Sequence, residues 1–152
     1  MTQKSLTGKD TIIINERVLV DFADGDVVNL SFPNELMAVK TGKNGNSIYA
    51  YNESGKQVDV ELRVLTGSDD DKFLNSLLRK MKQDPALFIL LTGEFVKRVG
   101  DGSGNINNIK YTMDGGVFSQ DVDSKENVEG DTEQAIAIYR LKFTNAPRSI
   151  GG

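Results

Sequence analysis

Within residues 56–66, KQVDVELRVLT, positions 57 to 64 alternate without a break. Val58, Val60, Leu62 and Val64 fall on one side of an extended chain, and Gln57, Asp59, Glu61 and Arg63 on the other. Successive side chains of a strand point to opposite faces, so a period of two specifies one buried face and one wet face. A sheet wet on one side is normally antiparallel. This segment therefore commits the chain to antiparallel β structure with an apolar core behind it.

Other runs fit the same plan. DTIIIN (10–15), RVLVDF (17–22), VVNLSFP (27–33), SIYAYN (47–52), ALFILLTGEFVKRV (86–99), IKYTMDGGVFSQ (109–120) and AIAIYRLKFT (135–144) read as strands. Asp24-Gly25 marks a turn between the second and third, and Gly115-Gly116 a bulge. SIYAYN and KQVDVELRVLT are expected to pair around Glu53-Ser54-Gly55, with TGKNGN (41–46) interrupting pairing before them. GDGSGNINN (100–108) reads as a wide loop. Residues 1–9 and 145–152 read as an arm and a tail of a single domain spanning 1–152.

One segment breaks the pattern. In TGSDDDKFLNSLLRKMKQDP (66–85), Phe73, Leu74, Leu77, Leu78 and Met81 form one stripe of helical period. Ser68 and Asp71 stand as a cap, and Asp84-Pro85 ends the helix. Asp69, Asp70 and Asp71 lie at the positive end of the helix dipole, with Arg79, Lys80 and Lys82 at the other. The aspartates are therefore read as helix-starting residues rather than as a metal or catalytic cluster. Five apolar side chains contribute ~1.5–3 kcal/mol each on burial, against ~1–2 kcal/mol per residue of ordered backbone. The helix must dock, and an apolar sheet face is its available surface.

The chemistry open to the chain is narrow. It contains no Cys and no His, which removes thiol nucleophiles, disulfides, Ser-His-Asp catalysis and nearly all zinc sites. DGSGNINNIKYT (101–112) begins like a calcium loop, but Ile106 stands where Gly is needed and Thr112 where Glu is needed. Asp59 and Glu61 share a strand face with Arg63, and nothing suggests a pocket around them. No phosphate-binding or nucleophile-elbow motif occurs. We expect no enzyme, no cofactor and no bound metal. The net charge of −4 makes a grip on phosphate backbones a poor expectation. The acidic segment 121–133 reads as a solvated loop or as a binding surface. The opening MTQKSLTGKD lacks the apolar run of a signal peptide, and no window reaches ~20 apolar residues, so we expect synthesis in a cytosol-like compartment and no membrane span.

In its order of elements the chain resembles the tail tube proteins of contractile-tailed bacteriophages. RVLVDFADGDVVNL (17–30) matches a strand, a "GFADG"-like turn and a strand of that family. The amphipathic strand 56–66 running into a helix opened by Ser and Asp continues the match. A final strand before Gly151-Gly152 ends it. The acidic segment 121–133 is longer than the family's.

The resemblance implies a β-sandwich or barrel-like subunit with one flanking helix, whose strands close a barrel between subunits. It implies homo-hexameric rings stacked into a tube in the virion, assembled in the host cytoplasm. Sheath, baseplate and tape measure proteins would be its partners, and DNA would pass through without specific binding. Gln57, Asp59, Glu61 and Arg63 would line the lumen, or else face solvent or sheath. Thr41, Gly42, Lys43, Asn44, Gly45 and Asn46 would bridge stacked rings, or else form an ordinary hairpin tip. The arms 1–9 and 145–152 would be mobile in free subunits. A tube of a related injection or secretion system is the near alternative, and a monomeric β-sandwich binding module the distant one.

Overall fold

The computed structural model describes residues 5–6, 10–22, 28–124 and 135–151. The chain is mainly β, with antiparallel sheets and, among the described residues, a single α-helix. Its strands are β1 (Ser5–Leu6), β2 (Thr11–Ile14), β3 (Arg17–Leu19), β4 (Val28–Ser31), β5 (Met37–Thr41), β6 (Ser47–Tyr51) and β7 (Val58–Leu65). After the helix α1 (Asp69–Gln83) come β8 (Leu91–Gly100), β9 (Ile106–Phe118), β10 (Asp123–Ser124), β11 (Ile136–Phe143) and β12 (Arg148–Gly151). The main sheet runs β3-β2-β8-β9-β11-β7-β4, with β1 beside β8, β10 beside β11 and β12 beside β9. The strands β5 and β6 form a separate two-stranded ribbon.

The alternation of β7 holds. Val58, Val60, Leu62 and Val64 are buried, and Asp59, Glu61 and Arg63 are half-exposed. Strand β11 repeats it, burying Ala137, Tyr139, Leu141 and Phe143 against β7 in register. Ile12 and Ile14 of β2, at the other end of the sheet, join the same core. The sheet therefore folds over, and β9 carries the bend. Leu91 pairs with Gly116 but Gly93 with Met113, so β9 holds an extra residue there. The bulge sits at Gly115, whose φ of 63° favours glycine. A Cβ on Gly115 would run into Thr144, and one on Gly116 into the Phe143 ring.

The helix docks as its stripe requires. Leu74 and Leu78 are buried in the core, with Phe73, Leu77 and Met81 packed against it. The Ser68 hydroxyl accepts from the Asp71 amide at 3.2 Å, and the Asp71 carboxylate accepts from the Gly67 amide at 2.8 Å. The cap bond is thus made, but the return bond from Asp71 goes to the residue before the cap, and the Ser68 amide donates to the Leu65 carbonyl instead.

Several segments depart from the sequence reading. The strand SIYAYN does not pair with β7. Instead β6 pairs with β5, while β7 is flanked by β11 and β4. A 3-10 turn at Glu53–Lys56 redirects the chain, and its Gly55 packs on the Glu35–Leu36 backbone too closely for any Cβ. TGKNGN is accordingly the tip of the ribbon. Residues 86–90 are not a strand, because β2 and β9 offer partners only from Leu91 onward. The wide loop shrinks to 101–105, since β9 starts at Ile106. Residues 148–151 pair with β9 from Tyr111 to Asn108, so the closing segment contributes a strand. The Asp24-Gly25 turn, residues 1–4 and 7–9 of the arm, 125–133 of the acidic segment, and Gly152 lie outside the described residues.

Candidate assembly surfaces

The polar row of β7 does not stand alone. Across the strand pair, Lys142 Nζ lies 3.8 Å from the Asp59 carboxylate and Arg140 Nε 3.7 Å from that of Glu61. Arg140 also binds Asp123 on β10. Asn34 donates to the Gln57 side chain at 3.2 Å. The Nε of Arg63 is buried without a hydrogen bond. Three acids and three cations thus share this face, so it is laced with ion pairs and locally neutral. Asn29, Ser31, Ser119 and Gln120 complete an open polar cleft of about 410 Å³ with it. The pairs are solvent-screened and each contributes little to stability, roughly 0–1 kcal/mol. Sequence reasoning found the β7 residues but not Arg140, Lys142 and Asp123. The β7–β11 register, which links residues about 80 positions apart, places Arg140 and Lys142, and the β10–β11 pairing places Asp123.

The same sheet separates this row from α1. The helix packs on the face that carries Val58, Val60, Leu62 and Val64. Gln57, Asp59, Glu61 and Arg63 therefore look away from the helix.

Residues 41–46 cap the β5–β6 ribbon. The Gly42 amide donates to the Asn46 carbonyl at 2.8 Å and closes the loop, and Gly45 takes φ 82°. Lys43 and Asn44 sit at its outermost turn, and every loop residue is exposed. Nine of the ribbon's ten strand residues are exposed as well. Tyr49 and Tyr51 are among them. Both lie in the segment read as a strand, and strand placement does not bury them here.

A second apolar surface follows α1. Leu87 and Ile89 are 79% and 84% exposed, and only Phe88 turns toward the core. Both end strands of the main sheet are short, three residues in β3 and four in β4. Their outer edges carry no strand among the described residues.

The Asp101 carboxylate, the first ligand of the calcium-like loop, accepts from the amides of Ser103 and Asn105 and from the Asn105 side chain. Those bonds hold its pKa below the usual carboxylate value, the Ser103 amide most of all. Among the described residues, no group of three or more His, Cys, Asp or Glu is placed to hold a metal ion. No helix in the described residues is long and apolar enough to cross a membrane.

A folded-over antiparallel sheet, one flanking helix and a projecting ribbon define a β-rich structural domain with open edges. Neither a protein-family model nor a curated protein matches the sequence. Among solved structures, the fold is similar to a chain of the sheath–tube complex of an extracellular contractile injection system, PVC, in its extended state. The TM-score is 0.59 at 9% sequence identity, over 92% of this chain and 87% of that one. At that identity the likeness is one of fold.

Proposed function

We propose that this chain is the tube subunit of a contractile machine, forming hexameric rings that stack inside a sheath. The observation that carries the reading is the likeness to a chain of a sheath–tube complex over nearly the full length of both. Three features support it. The end strands β3 and β4 are open to pairing, and joining sheets between subunits into a closed barrel removes such edges. A ribbon with nine exposed residues in its two strands needs a partner surface. The sequence has no His and no Cys, and among the described residues no acidic cluster is placed to hold a metal ion.

In the assembled tube, α1 lies outside the barrel and Gln57, Asp59, Glu61 and Arg63 face the lumen, because the sheet holds them on opposite sides. The loop 41–46 contacts the adjoining ring. Sheath surrounds the tube, and baseplate and tape measure proteins meet it at its ends. A lumen lined by this neutral, ion-paired face holds cargo weakly, so a DNA duplex passes without binding.

Two kinds of machine fit. The order of sequence elements favours a phage tail that conducts DNA from a virion. The named structural likeness favours an injection system outside a virion. Nucleic acid content of purified particles separates them.

The test of the shared reading is electron microscopy of the purified protein across a concentration series. Hexameric rings or tubes are expected. A monomer at every concentration overturns the proposal.

A further inference from the structure

The ribbon is amphipathic, and its register shows how. Met37 pairs with Tyr51 and Val39 with Tyr49, so these four large side chains share one face with Thr41 and Ser47. Lys40 lies on the other face, opposite Ile48. None of the strand residues of the first face is charged, and all four large ones are exposed; Lys56, just beyond β6, lies over the Tyr51 ring, 5.8 Å from its centroid, and is paired with Glu53 at 2.9 Å. A two-stranded ribbon is marginal in water without a surface to cover it.

The same chain carries an apolar depression. Where β8, β9 and β12 lie side by side, Phe95, Val99, Ile109, Tyr111 and Ile150 line an open cleft of about 530 Å³. The register places them on one face: Phe95 opposite Tyr111, and Ile150 opposite Ile109. That volume lies in the range that buries a ligand the size of several side chains. Lys97 and Arg148 stand in its lining. Arg148 already lies over the Tyr111 ring, 5.9 Å from its centroid.

We infer that the ribbon face of one copy, bearing Met37, Val39, Tyr49 and Tyr51, seats in the Phe95–Ile109–Ile150 cleft of a neighbouring copy. This rests on the tube reading and names the contact within it. Chemistry selects the occupant. The ribbon strands present apolar bulk with two tyrosine rings, of which Tyr49 is open and Tyr51 carries the Glu53-paired Lys56, and the cleft offers apolar walls with two cations. Lys97 and Arg148 meet ring faces and hydroxyls rather than like charge, and cations over aromatic faces attract. Two clefts facing each other would oppose four cations. The contact joins unlike surfaces, so it runs head to tail and generates rings or filaments rather than a closed dimer.

The absence of cysteine in the chain makes the test direct. Val39 is 57% exposed and Ile150 63%, so Val39→Cys and Ile150→Cys are tolerable substitutions. Tagged V39C and untagged I150C protein are mixed under assembly conditions and oxidised. A disulfide between the two variants is expected, and neither variant alone should give the same yield of covalent dimer. A chain carrying both substitutions should give a ladder. Tyr49→Lys, which sets a cation against Lys97 and Arg148, should raise the concentration needed for assembly by about tenfold or more. Rings or tubes that form without the mixed disulfide, and whose onset Tyr49→Lys leaves unchanged, overturn this contact and leave the tube reading standing. Preferential V39C–V39C dimers overturn it too, in favour of a ribbon-to-ribbon contact. No assembly of the parent chain at any concentration removes both the contact and the tube reading.

Discussion

Asp70 and Arg17, 53 residues apart, meet at 3.2 Å where the helix begins. The Asp70 side chain is fully buried, whereas that of Arg17 is 42% exposed. The carboxylate also accepts from the amides of Val20 at 2.6 Å and Asp21 at 2.7 Å. These bonds explain why β3 stops at Leu19: the next two amides turn to the helix rather than to β2. Replacing Asp70 with Ala leaves both amides without their acceptor. We expect a loss of ~3 kcal/mol for Asp70→Ala and ~1 kcal/mol or less for Arg17→Ala, whose partner keeps two donors. Urea unfolding checks this, with midpoints lowered in that order and slopes unchanged.

The bend in β9 supplies a second expectation. Gly116 lies against the Phe143 ring, and Gly115 combines a positive φ with a close approach to Thr144. Gly116→Ala forces the buried ring aside and should cost ~1–3 kcal/mol, as overpacking does. Thermal unfolding should show the loss. Gly104→Ala, at φ 86° but in open space on the β8–β9 loop, should cost only ~1 kcal/mol.

Tyr139 links the last long strand to the helix cap. Its hydroxyl donates to the Asp71 carboxylate at 2.5 Å and lies 3.2 Å from the Asp71 carbonyl. Burial first, and the Asp71 bond second, push its pKa well above the ordinary phenol value. The folded state holds this proton more tightly than the unfolded chain. The linked stability is therefore fully present below the unfolded phenol pKa of ~10 and falls as pH rises past it. Stability measured from pH 8 to 11 should decline less in Tyr139→Phe than in the parent. Parallel declines would remove Tyr139 from this role.

How much of this was readable beforehand depends on sequence separation. The faces of β7 and the stripe and cap of α1 are local patterns, legible from spacing alone. Asp70 had the composition of a dipole-favoured helix start, and its partners at residues 17, 20 and 21 had no local signature. The same holds for Arg140 and Lys142 opposite the polar row. Residues 86–90 misled because apolar content resembles a strand even where no neighbour supplies hydrogen bonds. The ribbon was missed because Gly55, read as a hairpin turn, instead packs beneath Leu36.

The polar row offers a functional expectation. Lysine at positions 59 and 61 would face Lys142 and Arg140 and turn a neutral face strongly positive. The lost ion pairs are surface pairs, so Asp59→Lys with Glu61→Lys should cost only ~1–2 kcal/mol of stability. If this face lines the lumen of a DNA-conducting tube, assembled particles should eject DNA more slowly. Added salt should restore part of the rate, since screening acts over ~8 Å at physiological strength. Unchanged ejection would place the row away from the lumen.

The ribbon tip can be separated from the fold. Residues 42–45 make their backbone bonds within the loop, Gly42 to Asn46 and Gly45 to Gly42, and none of them belongs to the core. Shortening the tip by deleting 42–45 should leave the unfolding midpoint of the subunit almost unchanged. If 41–46 bridges stacked rings, the shortened chain should still close hexamers but fail to lengthen them. Analytical ultracentrifugation and microscopy would then show single rings where the parent forms tubes. Tubes of normal length from the deletion would make the loop an ordinary hairpin tip. Loss of the rings themselves would place the loop within the ring instead of between rings.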